Sequence, residues 1–222
     1  MILSAHQPAY LCWLGYLAKI RDSDAFIILD NVPRSHGDWT NRNRIKTQHG
    51  EQLLTVPLLG GRQQIIQDIR VDGGRRWRHK HWRAIELAYS KAPFWETYAD
   101  GLNRILVDAG PTLLQVDMAL THWLLDAYGV GTPVLYASAV EPEGSGTDMI
   151  VALCQKLGAR EFLFGSEGRD YANDSTLSAA GITAHFQQYE CKEYPQLHGE
   201  FLPRLSALDA LLNLGPAAKE IL

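Results

Sequence analysis

The feature that most constrains the fold is the alternation of short apolar runs with a helical pattern at the start of the chain. Residues 2–5 and 25–29 are apolar runs of the length of buried strands, and residues 13–20 between them have helical spacing. A strand, a helix and a second strand in this order predict two parallel strands, because a parallel pair needs a crossover connection. The loops after the two strands then lie at the carboxyl ends, where α/β folds bind ligands.

The rest of the chain continues this alternation around a middle segment that has only helical patterns. Predicted strands are residues 53–59, 65–71, 134–137, 161–164 and 182–186, and predicted helices are residues 77–90, 93–108, 112–128, 148–157, 175–180 and 205–212. The first two of these strands, separated by Gly60 and Gly61, predict an antiparallel appendage. The predicted fold class is α/β: a parallel or mixed sheet with flanking helices (Rossmann-like), a small antiparallel appendage and a helical middle segment, in one domain over residues 1–222.

Composition excludes several classes of function. A formal net charge of −4 argues against general nucleic-acid binding. Three cysteines without CxxC spacing indicate a reducing compartment rather than a disulfide framework. No apolar run reaches the roughly 18 residues that a membrane span needs, and no basic segment precedes the first apolar run, as it would in a signal peptide. We therefore expect a cytoplasmic protein without a membrane span.

The first candidate site is the segment His6-Gln7-Pro8-Ala9-Tyr10, which follows the first predicted strand. Proline lacks the N–H that a central strand needs, so the strand should end here, and Asp30 ends the next strand at the same edge. A histidine at this edge can donate to a phosphate or act as an acid or base. The alternative is that His6 only caps the turn.

The second candidate is the segment from Trp39 to Arg44, in which Asn41, Arg42, Asn43 and Arg44 alternate. In an extended chain the two arginines face one side and the two asparagines the other. Arginine binds phosphate or carboxylate with two hydrogen bonds, and asparagine amides bind hydroxyls and carbonyls. The alternative is a solvated strand edge whose charges discourage aggregation.

Two further segments follow later strands and add candidates at the same edge. Gly144-Ser145-Gly146-Thr147-Asp148 could cradle a phosphate with its main-chain N–H groups, although Thr147 as a plain helix cap is the simpler interpretation. After the strand at residues 161–164, Ser166, Asp170 and Tyr171 are candidates for the far side of a binding site.

Other patterns do not support a site. His79 and His81 are two residues apart and would point in different directions on a helix, so we predict no metal site. Cys12 stands among apolar residues, which favours a packed thiol over a nucleophile. The basic run from Arg75 to Arg83 is typical of a solvated helix face, with binding of a phosphorylated donor as the alternative.

Several of these segments together resemble the WbqC-like protein family. They are His6-Gln7-Pro8-Ala9-Tyr10, Asn41-Arg42-Asn43-Arg44-Ile45, Gly168-Arg169-Asp170-Tyr171 and the tail Asn213-Leu214-Gly215-Pro216, so the resemblance spans nearly the whole chain. It implies an enzyme of bacterial surface-polysaccharide (O-antigen) biosynthesis with a glycine- or aminoacyl-transferase role on a sugar. A looser similarity links the start of the chain to class I nucleotidylyltransferases, but Gly15-Tyr16 stands where those enzymes have a Gly-His pair.

We therefore expect a transferase that moves an aminoacyl or other acyl group onto a sugar or amine acceptor. The expected donor is a small-molecule or carrier-bound acyl compound; the cofactor that the sequence allows is a nucleotide or phosphate-bearing donor. The candidate catalytic residues are His6 as general base and Asp30, which orients His6 or the acceptor. The candidate binding residues are Gln7, Tyr10, Trp39, Asn41, Arg42, Asn43, Arg44, Thr147, Ser166, Asp170 and Tyr171. A nucleotidylyltransferase-like enzyme and a non-catalytic sugar-binding module remain as alternatives.

Overall fold

The computed structural model of the chain describes residues 1–35, 39–60, 63–170 and 172–222, with only the backbone of Arg75 and Asp170. The chain divides into two compact units, each built from three stretches of sequence. The sheet unit contains Met1–Gln7, Ala18–Val32 and Gly131–Glu190, and the helical unit contains Pro8–Leu17, Pro33–Val130 and Cys191–Leu222. The single domain over residues 1–222 stays a prediction.

Strands occur in both units. They are β1 Ile2–His6, β2 Ala25–Ile28, β3 Arg42–Thr47, β4 Gly50–Thr55, β5 Leu58–Leu59, β6 Arg70–Val71, β7 Val134–Tyr136, β8 Glu161–Phe164 and β9 Thr183–Phe186.

The α-helices are α1 Leu14–Arg21, α2 Arg75–Tyr89, α3 Trp95–Asp108, α4 Leu113–Tyr128, α5 Ala137–Val140, α6 Gly146–Leu157, α7 Asp174–Ala179 and α8 Ala207–Leu214. Three further segments, Ile66–Asp68, Ser166–Asp170 and Gly215–Ile221, form 3-10 helices. No helix in the described part of the chain combines the length and the apolar character that a membrane span requires.

The sheet unit contains a parallel five-stranded sheet in the order β7-β2-β1-β8-β9. The predicted α/β fold with a parallel sheet is confirmed. Every residue of β2 is buried, as expected for an inner parallel strand that is covered on both faces. Leu3, Ile27 and Phe162 from the strands pack with Leu153 and Cys154 of α6 in one apolar core.

The strand order creates a topological switch point beside the central strand β1. The chain continues from β1 to β2 and β7 on one side, and β8 and β9 lie on the other side. Because all five strands are parallel, the residues after β1, β2 and β8 share the carboxyl edge of the sheet. The predicted common edge is therefore confirmed for His6, Asp30 and Gly165–Asp170. Gly144–Thr147, predicted at the same edge, does not follow a strand directly, because α5 comes between it and β7. In such sheets, ligands bind outside the carboxyl ends at the switch point, which here lies between β1 and β8.

One predicted cap in the sheet unit is wrong. Ser145 stands at the N-cap of α6 with extended backbone, and the helix begins at Gly146, so Thr147 lies inside its first turn. Gly144 and Gly146 have positive φ angles of 80° and 54°, which let the chain turn into the helix early. The Thr147 hydroxyl accepts instead a hydrogen bond from the main-chain N–H of Asn173, at 3.3 Å.

The helical unit combines the hairpin β3–β4 with α2, α3, α4 and α8. Helices α2 to α4 match the predicted middle segment, and Thr112 forms a reciprocal capping box with Gln115 at the start of α4. The predicted appendage needs correction in its detail. Strand β4 ends at Thr55, before Pro57, and pairs with β3, whereas β5 pairs with β6. Proline has no N–H to donate, so one strand could not continue through residues 53–59.

A buried carboxylate joins three elements of the helical unit. Asp209 of α8 is fully buried and accepts hydrogen bonds from the hydroxyls of Tyr89 and Tyr194, both at 2.9 Å. The Tyr89 hydroxyl in turn accepts the main-chain N–H of Lys46 at 3.0 Å. Burial raises the pKa of Asp209, and the two tyrosine hydrogen bonds oppose that shift. Asp209 thus ties α8 to α2 and, through Tyr89, to β3.

Candidate functional site

His6 ends the central strand of the sheet unit, and its side chain is exposed at the carboxyl edge. Its Nδ1 atom lies 2.9 Å from the main-chain oxygen of Gln7. A carbonyl oxygen can only accept, so this hydrogen bond requires the proton on Nδ1. In the neutral ring Nε2 then carries a lone pair and can accept a proton. The adjacent peptide thus fixes which ring nitrogen carries the proton.

Asp30 lies at the same edge, after β2, and is 2% exposed. Its Oδ1 accepts the main-chain N–H of Ser138 at 2.9 Å, and its Oδ2 accepts the Ser138 hydroxyl at 2.6 Å. Burial and the nearby charge of Asp30 raise the pKa of Tyr136. The hydrogen bonds of Asp30 go to Ser138 and not to His6, so this carboxylate holds the start of α5. Sequence reasoning did not identify Ser138 as a residue of this edge, although its position directly after a predicted strand could have indicated it.

Lys19 is a residue that sequence reasoning missed. Only 4% of it is exposed, although it stands in the last turn of a helix, where a lysine is normally solvated. Its Nζ donates to the main-chain oxygen of Ala5, at 2.9 Å, directly before His6. A Cβ atom built on Gly165, at the end of β8, would lie 4.0 Å from the same Nζ. Lys19 therefore reaches the switch point, and burial lowers its pKa from 10.5 to about 7.

The 3-10 helix after β8 contributes the other side of this edge. Ser166 is exposed there, and Gly168 packs so closely on Phe164 that a Cβ atom would meet its Cβ at 2.5 Å. Arg169 stacks on the ring of Phe186 at 4.5 Å. The side chain of Asp170 and the whole of Tyr171 lie outside the described residues, so their binding roles stay predictions.

Two predicted binding residues of the helical unit are buried and form hydrogen bonds with other groups of the protein. Tyr10 is fully buried, and its hydroxyl lies 2.8 Å from Nδ1 of His81. Asn43 is 4% exposed, and its amide donates to the main-chain oxygens of Tyr10, at 3.2 Å, and Leu11, at 2.7 Å. These contacts favour a structural role for both side chains. Asparagine in a strand had indicated ligand contact, but the same amide equally binds main-chain groups.

Trp39, Arg42 and Arg44 form an aromatic and basic cluster around the exposed ring of Trp39. Trp39 is 44% exposed, and the guanidinium groups of Arg42 and Arg44 lie 5.8 and 5.1 Å from its ring centre. Arg44 also forms an ion pair with Glu51, at 2.9 Å, whereas the Asn41 amide donates to the Val56 oxygen at 2.8 Å. Along β3, Asn43 is buried between the half-buried Arg42 and Arg44, as the predicted alternation requires, whereas Asn41 precedes the strand and is half-buried like the arginines.

The burial of His81 beside Tyr10 predicts how the unfolding free energy depends on pH. Burial lowers the pKa of His81 from 6.5 to about 4, opposed by a hydrogen bond to the Thr55 main chain. Between pH 6.5 and pH 4, His81 is protonated in the unfolded chain but neutral in the folded protein. The unfolding free energy therefore falls as the pH falls through this range. We expect the wild type to lose about 3 kcal/mol more over this range than His81→Gln, which keeps a partner for Tyr10.

Urea unfolding at several pH values measures this difference. His79→Gln, on the same helix, serves as the matched control and should follow the wild-type curve, because the side chain of His79 is exposed. Equal acid sensitivity of the wild type and His81→Gln would show that His81 is protonated in the folded protein.

The parallel sheet, with its switch point beside β1 and its polar side chains at the carboxyl edge, defines an α/β protein of the Rossmann-like type. Comparison with known proteins adds the family. Residues 7–221 match the WbqC-like protein family, and the chain belongs to this family. It is 34% identical over 220 residues to the uncharacterized protein Rv1507c of Mycobacterium tuberculosis, covering 97% of this chain and 95% of the relative. No solved structure matches the chain.

Proposed function

We propose that the protein is a transferase that moves an aminoacyl group, such as glycyl, or another acyl group onto an amine or hydroxyl of a sugar. Bacterial surface-polysaccharide or related small-molecule biosynthesis is the proposed context. The observation that carries the proposal is His6: an exposed imidazole at the end of the central strand, with Nδ1 donating to the Gln7 oxygen and Nε2 able to accept a proton.

The proposed reaction uses His6 on the acceptor. Nε2 takes the proton from the acceptor amine or hydroxyl while the acceptor nitrogen or oxygen forms a bond to the acyl carbon of the donor. The bond between the acyl carbon and the leaving group then breaks, and the imidazolium returns the proton to that group. Atoms and charge balance without a redox partner, and the products are the acylated acceptor and the protonated leaving group.

A nucleotidylyltransferase is the second candidate, because its sheet has a histidine loop after the first strand, as this chain does. The position of the second histidine holds Tyr16, which is 3% exposed. A buried phenol beside a turn is a poor substitute for an imidazole that must contact a phosphate, since it is neutral at pH 7. This candidate therefore takes second place.

The test is an activity screen with two readouts on one protein sample. Glycyl thioesters, glycyl-adenylate and glycyl-tRNA are offered with amino-sugar acceptors, with and without a linked nucleotide, and mass spectrometry detects the acylated product. In parallel, pyrophosphate release is measured from nucleoside triphosphates with Mg²⁺ and a sugar phosphate. Acyl transfer without pyrophosphate release supports the proposal, and pyrophosphate release without acyl transfer replaces it by the nucleotidylyltransferase.

Binding of an amino-sugar without any turnover would overturn both catalytic candidates. It would leave a sugar-binding module, for which the exposed ring of Trp39 provides a stacking surface.

A further inference from the structure

The ammonium group of Lys19 is buried with little to compensate its charge. It has three N–H donors, and the hydrogen bond that the structure gives it goes to the oxygen of Ala5. Among the described residues no carboxylate pairs with it, and burial is the cause of its lowered pKa. A buried charge is costly unless it is paired and hydrogen-bonded. The group therefore lacks a negative partner that a bound molecule could supply.

The end of β8 leaves space for a side-chain atom beside Nζ. A Cβ atom built on Gly165 would have Lys19 Nζ, at 4.0 Å, as its nearest described neighbour outside the adjoining residues. Gly165 has no positive φ, so its backbone does not require glycine. The glycine thus keeps side-chain atoms out of the space beside Nζ. This space lies at the switch point, where parallel sheets bind ligands.

We infer that the Lys19 ammonium and the space beside Gly165 form a binding site for an anionic oxygen group, a carboxylate or a phosphate, of the substrate. The inference deepens the proposed function, since it assigns a negatively charged group to the donor or the acceptor. That group would bind beside the peptide bond between Ala5 and His6. Anion binding itself does not depend on the proposed function and is measured without turnover.

The lowered pKa of Lys19, about 7, gives this site a pH dependence with a defined sign. Only the protonated amine binds an anion, so affinity is high below pH 7 and falls above it, and a bound anion raises the pKa. Other titratable groups on the surrounding elements are His6 after Ala5, Asp30 after β2, Arg21 on α1, and Glu167, Arg169 and Asp170 after Gly165. Of these, His6 is the one that ordinarily titrates near neutral pH, and its contribution must be separated from that of Lys19.

The experiment follows the lysine side-chain NMR signals of the full chain, labelled with ¹³C at the lysine Cε, during titration with sulfate and with acetate. Neither ion titrates between pH 6 and 9, and together they represent the phosphate and carboxylate sources. The Lys19 signal is assigned by its absence in Lys19→Met or, where that variant does not fold, in Lys19→Arg. We expect its pKa to rise when either ion saturates the site, and the dissociation constant to increase at least tenfold from pH 6 to pH 9.

Three variants give the inference its controls. Lys19→Met should weaken binding at pH 6 by about ten- to a hundredfold, the range for a hydrogen bond to a charged group, and remove its pH dependence. Lys156→Met should bind as the wild type, since Lys156 is an exposed lysine that also donates to main-chain oxygens, those of Val140 and Glu141. His6→Asn should keep the pH dependence, which assigns it to Lys19.

Gly165→Ala tests the space separately from the charge. The added methyl meets Nζ at ordinary contact distance, so the fold and the pKa of ligand-free Lys19 should persist while sulfate and acetate bind more weakly. This variant and the wild-type titration keep the inference open to refutation if Lys19→Met does not fold. A Lys19 pKa that neither ion moves would overturn it and leave Lys19 as an anchor for Ala5. Anion binding without acyl transfer would refute the proposed function alone.

Discussion

His6→Asn should lower the rate of acyl transfer by at least about 100-fold, because a positioned general base contributes about 100- to 10,000-fold to a rate. Asparagine keeps a hydrogen-bonding tip of similar size but cannot take a proton near neutral pH. The KM for the donor should stay close to the wild-type value, since His6 acts on the acceptor. Steady-state kinetics with the donor and acceptor from the activity screen measure kcat and KM separately.

The pH profile provides a second readout of the same prediction. The wild-type rate should rise with pH through the range in which histidines titrate, and His6→Asn should lose that rise. His185→Asn is the matched control: His185 lies in β9 of the same unit, pairs with Glu161 at 2.8 Å, and should keep full activity. If His6→Asn retains most of the wild-type rate, His6 only shapes the turn before Pro8, and another group must accept the proton.

Asp209→Ala should lower the unfolding free energy by about 2–6 kcal/mol. The change removes the acceptor for the hydroxyls of Tyr89 and Tyr194, and each buried donor without a partner costs about 1–3 kcal/mol. Both tyrosines are buried, which limits rescue by water. Urea unfolding at pH 7, followed by tryptophan fluorescence and circular dichroism, gives the difference.

Two variants define the source of this loss. Asp209→Asn retains one oxygen as an acceptor and should therefore lose less than Asp209→Ala. Asp100→Ala makes the same substitution at an exposed position in α3, where changes usually amount to less than about 0.5 kcal/mol. If Asp209→Ala is as stable as Asp100→Ala, the tyrosine hydroxyls have other acceptors and Asp209 does not hold α8 in place.

The sequence predicted the sheet well because burial on both faces leaves a simple pattern. The apolar run of β2 and the exact bounds of β8 follow from it, and so does the position of His6 at the carboxyl edge. The helix predicted over residues 112–128 is Leu113–Tyr128 in the structure, where Thr112 and Gln115 form a capping box at its start. Local signals of this kind need no knowledge of distant residues.

The roles of individual polar side chains were less accessible, because they depend on contacts between distant parts of the chain. Asn43 meets Tyr10 and Leu11, Asp30 meets Ser138, and Lys19 is buried against Ala5. From the sequence, Asn43 is predicted to bind a ligand and Asp30 to orient His6 or the acceptor, and Lys19 is not singled out. The hydrophobic periodicity of a helix does not distinguish a solvated lysine in its last turn from a buried lysine that donates to a neighbouring strand.

The central position of β1 has a consequence for the order in which the protein can fold. Translation delivers β1 and β2 together, but β8, which pairs with the other side of β1, starts only at Glu161. Until the ribosome has released Phe164, one edge of the first strand has no native partner, and closing so long a loop is slow. An unpaired strand edge is a template for pairing with other chains. The nascent polypeptide is therefore exposed to edge-to-edge aggregation during most of its synthesis.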